Sequence, residues 1–111
     1  MAMGNPSSVK DAFDLCGRVA IVTGGAGLLG VKHAEAIAEM GGIPILLDIH
    51  EGAATARAEE ISERYGVEAL GLGADITDEA ALIYIRDTLM VRFGRIDILI
   101  NNAANNPKVE G

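Results

Sequence analysis

From residue 18 onward, short continuous apolar runs alternate with longer segments in which apolar residues recur every three or four places. The first run, Arg18–Thr23, is rich in β-branched residues, ends in glycines and predicts a buried strand. Leu28 to about Met40 carries apolar residues at 31, 34, 37, 38 and 40, with Lys32, Glu35 and Glu39 between them, which predicts a helix stopped by Gly41-Gly42. Ile43–Asp48 reads as a second strand. Pro44 weakens it as a central strand, although the first residues of a strand tolerate proline. Glu51–Tyr65 places Ala54, Ala58, Ile61 and Tyr65 on one helical face, and Gly66 ends it. Val67–Ala74 is a weaker strand, diluted by glycine. Thr77-Asp78-Glu79 caps a third helix, whose stripe of Leu82, Ile85, Leu89 and Phe93 predicts an amphipathic element. Arg95–Ile100 is a fourth strand, and Asn101-Asn102 opens a polar loop.

The order β-α-β-α-β-α-β predicts an α/β fold with a parallel sheet covered on both faces. Right-handed crossovers put the first two helices on one face. A Rossmann-type, doubly wound sheet of strand order 3-2-1-4 then sends the third helix across the other face. Ligand chemistry falls at the carboxyl ends of strands 1 and 4, where the order reverses.

Composition narrows the picture. The 111 residues allow one domain, read as a mobile leader over 1–14 and a half-domain over 15–111. At 50% hydrophobic residues, intrinsic disorder is excluded. Nine Lys and Arg against 16 Asp and Glu leave a formal net charge of −7, which opposes binding to nucleic acid or an anionic membrane. The single cysteine, Cys16, reads as an ordinary reduced thiol. With no signal-peptide pattern and no membrane-length apolar run, it leads to an expected cytoplasmic location. No metal-ligand set is read from the sequence.

The strongest chemical signal is the turn after the first strand. Gly24, Gly25, Gly27 and Gly30 fall within seven residues, and the last three satisfy G-x-G-x-x-G between a strand and a helix. Glycine lets a diphosphate approach the backbone, and the helix N-terminus offers it unpaired N–H groups. The plain alternative is a βα turn that uses glycine only for packing. Asp48 ends the second strand 18 residues beyond Gly30, where a carboxylate accepts from an adenosine ribose and repels a 2′-phosphate. The next residues, Ile49-His50-Glu51, bring no arginine to hold that phosphate, so NAD is expected over NADP. Asp75 is placed to meet an adenine amino group or simply to start a turn. The amides of Asn101-Asn102 either tie neighbouring strands and line the cleft or merely form a turn.

Thr23-Gly24 through Gly30, Asp48, Asp75 and Asn101-Asn102-Ala103 together resemble the short-chain dehydrogenase/reductase family over about residues 15–107. The usual TGxxxGxG becomes TGxxGxxG here, because Leu28 stands in place of the middle glycine; that spacing is favoured by the family's extended, sugar-nucleotide branch. Asn101-Asn102-Ala103-Ala104 matches the NNAG motif of the shorter enzymes, with alanine last. The resemblance implies a dinucleotide cofactor. Backbone from Gly25 to Leu29, with Leu28 among them, would meet the diphosphate and nicotinamide ribose. Asp48 and Ile49 would meet the adenine ribose, Asp75 and Ile76 the adenine, and Asn102, Ala103 and Ala104 the ribose side of the cleft. The runs Thr23–Gly30 and Asn101–Lys108 also resemble a subgroup associated with flagellin or surface-sugar modification, which implies a sugar substrate.

The family's catalytic Tyr-x-x-x-Lys pair is not formed: Ala69 stands four places after Tyr65, and Thr88 four places after Tyr84. Ser7, Ser8 and Ser62 fall in the leader or on the second helix. The chain therefore reads as the N-terminal, NAD-binding part of a longer, homo-oligomeric oxidoreductase that moves hydride between nicotinamide and an alcohol or carbonyl. A nucleotide-binding module without chemistry and a fragment of an S-adenosylmethionine-dependent methyltransferase are the alternatives.

Overall fold

The structure, a computed structural model, describes residues 14–102. Its elements are β1 (Val19–Thr23), α1 (Leu28–Glu39), β2 (Ile43–Asp48), α2 (Glu51–Tyr65), β3 (Leu70–Gly73), α3 (Glu79–Phe93) and β4 (Ile98–Ile100). The four strands are all parallel, in the order β3-β2-β1-β4. Apart from Asp14, the expected leader lies outside the described residues.

Alternation along the strands sorts the core into two layers. Ala20, Val22 and Leu46 face α1 and α2, where they pack with Ala34, Ile37, Ala38, Ala54, Ala58 and Ile61. Val19, Ile45 and Leu47 face the other way, onto Ile85 and Leu89 of α3. The first two helices thus share one face and the third covers the other, as right-handed crossovers require.

Four details depart from the sequence reading. β3 begins at Leu70 rather than Val67. Before it, the Val67 carbonyl is taken by the Ser62 hydroxyl at 2.8 Å, and pairing with β2 starts only at Ile45↔Leu70. β4 begins at Ile98 rather than Arg95, because Asp97 bonds to β1 through its own N–H and its side chain instead of through a continuing ladder. Pro44 does sit in a central strand, fully buried opposite Ala20; β3 pairing has not yet begun at that level, so only β1 flanks it. α3 is apolar nearly all round rather than amphipathic: Ile85 and Leu89 are buried, while Ile83, Tyr84, Met90 and Val91 are exposed and Leu82 is only partly covered.

Candidate functional site

The carboxyl ends of β1, β2, β3 and β4 all open onto one edge of the sheet, and the turn after β1 lies at its centre. Gly24 takes a positive φ of 65°, a left-handed conformation natural to glycine. The Gly25 N–H donates to the Leu47 carbonyl at 3.1 Å and the Gly27 N–H to the Gly24 carbonyl at 3.1 Å. A Cβ on Gly25 would stand 2.8 Å from the Leu46 Cα, and one on Gly30 would overlap the Gly24 carbonyl. These two glycines are therefore required by the fold itself.

Gly27 is different. Its φ of −79° and ψ of 169° suit any residue, and an added Cβ would make only an ordinary contact of 3.4 Å with the Gly24 oxygen. Nothing inside the fold calls for glycine there; its effect is to leave backbone bare at the start of α1. That start is open in other ways too. Its N-cap makes no side-chain hydrogen bond and its first turn has no acid, whereas Asp78 caps α3 by accepting from the Ala81 N–H at 3.2 Å. The first helical bond closes from the Val31 N–H to the Gly27 carbonyl at 2.9 Å, so the N–H groups before Val31 have no intrahelical acceptor. Leu28 and Leu29 flank the opening, with Leu28 84% exposed. Bare backbone, free N–H groups and the positive end of the helix dipole fit a diphosphate.

At the end of β2, the Asp48 Oδ2 accepts from the Ala26 N–H at 3.0 Å and its Oδ1 from the His50 N–H at 2.9 Å. Ile49 beside it is exposed. At the end of β3, the Asp75 Oδ1 accepts from the Thr77 hydroxyl at 2.7 Å and the Thr77 N–H at 2.9 Å, forming an Asx turn. Those two bonds, the hydroxyl's first, hold the Asp75 carboxyl below the usual aspartate range. Asp75 also contributes a carbonyl that accepts from the Asp78 N–H at 2.9 Å. Ile76 borders an apolar cavity of about 400 Å³ that runs along the sheet to Thr23, Leu99 and Asn101. Arg86, the cation on that cavity wall, is paired with Asp87 at 2.9 Å.

Between β1 and β4 the Thr23 side chain makes the junction. Its hydroxyl donates to the Asn101 Oδ1 at 3.0 Å and accepts from the Asn102 N–H at 2.9 Å. The asparagine pair therefore does tie strands together, through the Asn101 side chain and the Asn102 backbone. Ala103 and Ala104 lie outside the described residues. At the opposite end of the same strands, the Asp97 carboxylate accepts from the Val19 N–H at 2.9 Å and from both ends of the Arg95 guanidinium at 2.8 and 2.9 Å. The Arg95 guanidinium first, then the Val19 N–H, hold its carboxyl below the usual range.

Sequence reasoning missed Thr23, Asp97 and the Asp48–Ala26 bond as structural ties. A signal existed for the first two, since each is a polar residue inside or ending an apolar run. None existed for the third. Among the described residues, no His, Cys, Asp and Glu group as a metal site, and no helix is long and apolar enough to cross a membrane.

A sequence model of the short chain dehydrogenase family matches residues 18–110. The chain belongs to that family. Among short-chain dehydrogenases it is 38% identical to the sorbose reductase SOU1 of Candida albicans over 98 residues, covering 88% of this chain and 34% of that protein. The solved NADPH-dependent 3-quinuclidinone reductase from Rhodotorula rubra superposes with a TM-score of 0.78 at 32% identity, covering 89% of this chain and 37% of that one. An NAD⁺-bound xylitol dehydrogenase superposes with a TM-score of 0.72 at 36% identity, covering 77% and 32%. The chain spans about a third of the length of these relatives. These matches support neither the methyltransferase alternative nor a nucleotide-binding module without chemistry.

Proposed function

We propose that the chain is the NAD-binding N-terminal portion of an oxidoreductase that transfers hydride between nicotinamide and an alcohol or carbonyl of the sugar or polyol class. The observation that carries the proposal is Gly27. It is the one glycine of the turn that the fold does not need, and it stands where α1 presents uncapped N–H groups. A diphosphate lies against that backbone, held by amides rather than by a basic pocket, in keeping with a net charge of −7. When bound, the dinucleotide supplies the hydride donor or acceptor. The residues of this chain bind and orient it: Gly24, Gly25, Gly27, Leu28, Leu29 and Gly30 at the diphosphate, Asp48 and Ile49 at the adenine ribose, Asp75 and Ile76 at the adenine, and Asn102 with Ala103 and Ala104 beyond β4.

NAD is favoured over NADP because the Asp48 carboxylate repels a 2′-phosphate and the Ile49-His50-Glu51 stretch offers no guanidinium to it. The relatives named for sorbose and xylitol support the substrate class. The exposed apolar side chains of α3 support a homo-oligomer, and the single thiol of Cys16 suits the reducing cytoplasm.

Calorimetric titration with NAD⁺ and NADP⁺ tests this reading. NAD⁺ is expected to bind at least about tenfold more tightly than NADP⁺. Gly27→Val is expected to weaken NAD⁺ binding by about tenfold or more, with a melting temperature within a few degrees of wild type. Failure to bind either dinucleotide, or Gly27→Val binding at full strength, overturns it.

A further inference from the structure

We infer that Asp48 is a positioning residue for the phosphate turn, independently of any contact it makes with a ribose. The inference deepens the dinucleotide reading and rests on it for the identity of the ligand, but the geometry stands without one. The turn's amides are satisfied one by one. The Gly25 N–H goes to the Leu47 carbonyl, the Gly27 N–H to the Gly24 carbonyl, and the Ala26 N–H between them to the Asp48 Oδ2 at 3.0 Å. The turn is thus docked on three successive residues of β2: it packs on the backbone of Leu46, bonds the carbonyl of Leu47 and bonds the carboxylate of Asp48.

The third tether is the one held by a side chain, so it alone can be removed by substitution. A charged acceptor makes it the stronger of the two hydrogen bonds that tie the turn to β2. Each Asp48 oxygen uses one N–H, from Ala26 or from His50, and an ionised carboxylate oxygen accepts about two. A ribose hydroxyl can therefore add to Asp48 without displacing Ala26. A 2′-phosphate cannot: it repels the same carboxylate that holds the turn, so discrimination and the shape of the diphosphate cradle are set by one group.

Two ligands separate this role from ribose recognition: ADP, and 2′,3′-dideoxy-ADP, which keeps the diphosphate but lacks both ribose hydroxyls. If Asp48 only recognises ribose, Asp48→Ala weakens ADP and leaves the dideoxy compound unchanged, and the inference falls. The expected result is that Asp48→Ala weakens both, the dideoxy compound by about fivefold or more. Amide hydrogen exchange without ligand is the second measurement. Exchange at the Ala26 amide is expected to quicken about tenfold in Asp48→Ala, while Val22 and Leu46 in the core keep their protection. Unchanged exchange at Ala26 overturns the inference. If Asp48→Ala loosens the core amides as well, Asp48→Leu, which keeps the branched shape and removes both acceptor oxygens, decides: exchange rises at Ala26 while Val22 and Leu46 stay protected, or the inference falls. Wild-type protein that binds neither ADP nor NAD⁺ would overturn the dinucleotide reading, and the exchange result would still decide the tether.

Discussion

The two faces of the sheet are built to different standards. On one, α1 and α2 lie on β1, β2 and β3 and close over nine buried residues. Glycines permit the closest approaches there: a Cβ on Gly71 would overlap the Ala54 carbonyl of α2. On the other face α3 is the one helix among the described residues; five buried residues form the core there, beside a cavity of about 400 Å³ and the exposed Leu99 of β4. The glycine turn after β1 grows out of the tight face. Its open N-terminus is carried by α1, and its tethers run to β2, one of the two inner strands of the sheet. The bare backbone of the turn is thus placed where packing leaves least room to move. The looser face carries the residues whose apolar surface is left for other contacts.

The largest expected effect tests the tight face. Gly30→Val drives a side chain into the Gly24 carbonyl, so α1 must shift from the turn. A loss of about 3 kcal/mol or more is expected in urea denaturation; a loss near zero would mean that the close packing there is soft. Next comes a matched pair of truncations. Leu46→Ala, fully buried under α1 and α2, is expected to cost about 4 kcal/mol. Leu89→Ala, fully buried on the inner side of α3 against β1 and β2, is expected to cost about 2.5 kcal/mol, because a core layer closed by one helix relaxes more completely than one closed by two. Equal losses would erase the difference between the faces.

Acid stability gives a smaller effect at the junction of the two halves. The Asp97 carboxyl is held low in the folded chain, so its contribution is fully present above the ordinary aspartate range, near pH 4, and is lost as pH falls through the lower folded value. Asp97→Asn is expected to flatten the fall of melting temperature below about pH 4; an unchanged slope would remove Asp97 as a tie between β4 and β1. The smallest effect belongs to Val91→Lys on the outer side of α3, where the side chain is 88% exposed. Stability is expected to change by no more than about 0.5 kcal/mol, while light scattering reports reduced self-association. A large loss of stability would show that this side of α3 is already covered.

Much of the fold was legible because the two periodicities are local. Ala54, Ala58 and Ile61 announced the buried face of α2, and the Gly24–Gly30 cluster announced the turn, since each pattern lies within one element. The starts of β3 and β4 were not legible. Whether Val67 or Arg95 joins a ladder depends on what Ser62 and Val19 offer from elsewhere. The apolar outer side of α3 was misread as well: the stripe of Leu82, Ile85, Leu89 and Phe93 is real, but Ile83, Tyr84, Met90 and Val91 fill the opposite side with equally apolar residues.

Residue spacing alone determined the order of elements, the assignment of helices to faces and the placing of Gly27, Asp48, Asp75 and Asn102 at one edge of a parallel sheet. Only the tertiary structure distinguished Gly25 and Gly30, which the fold requires, from Gly27, which it does not. Only the tertiary structure joined Asp48 to Ala26 and Thr23 to Asn101. The physical reason is that these are contacts of about 3 Å between segments more than 20 residues apart in the chain, set by how β2 and β4 pair on either side of β1, and no local pattern of residue types encodes that distance.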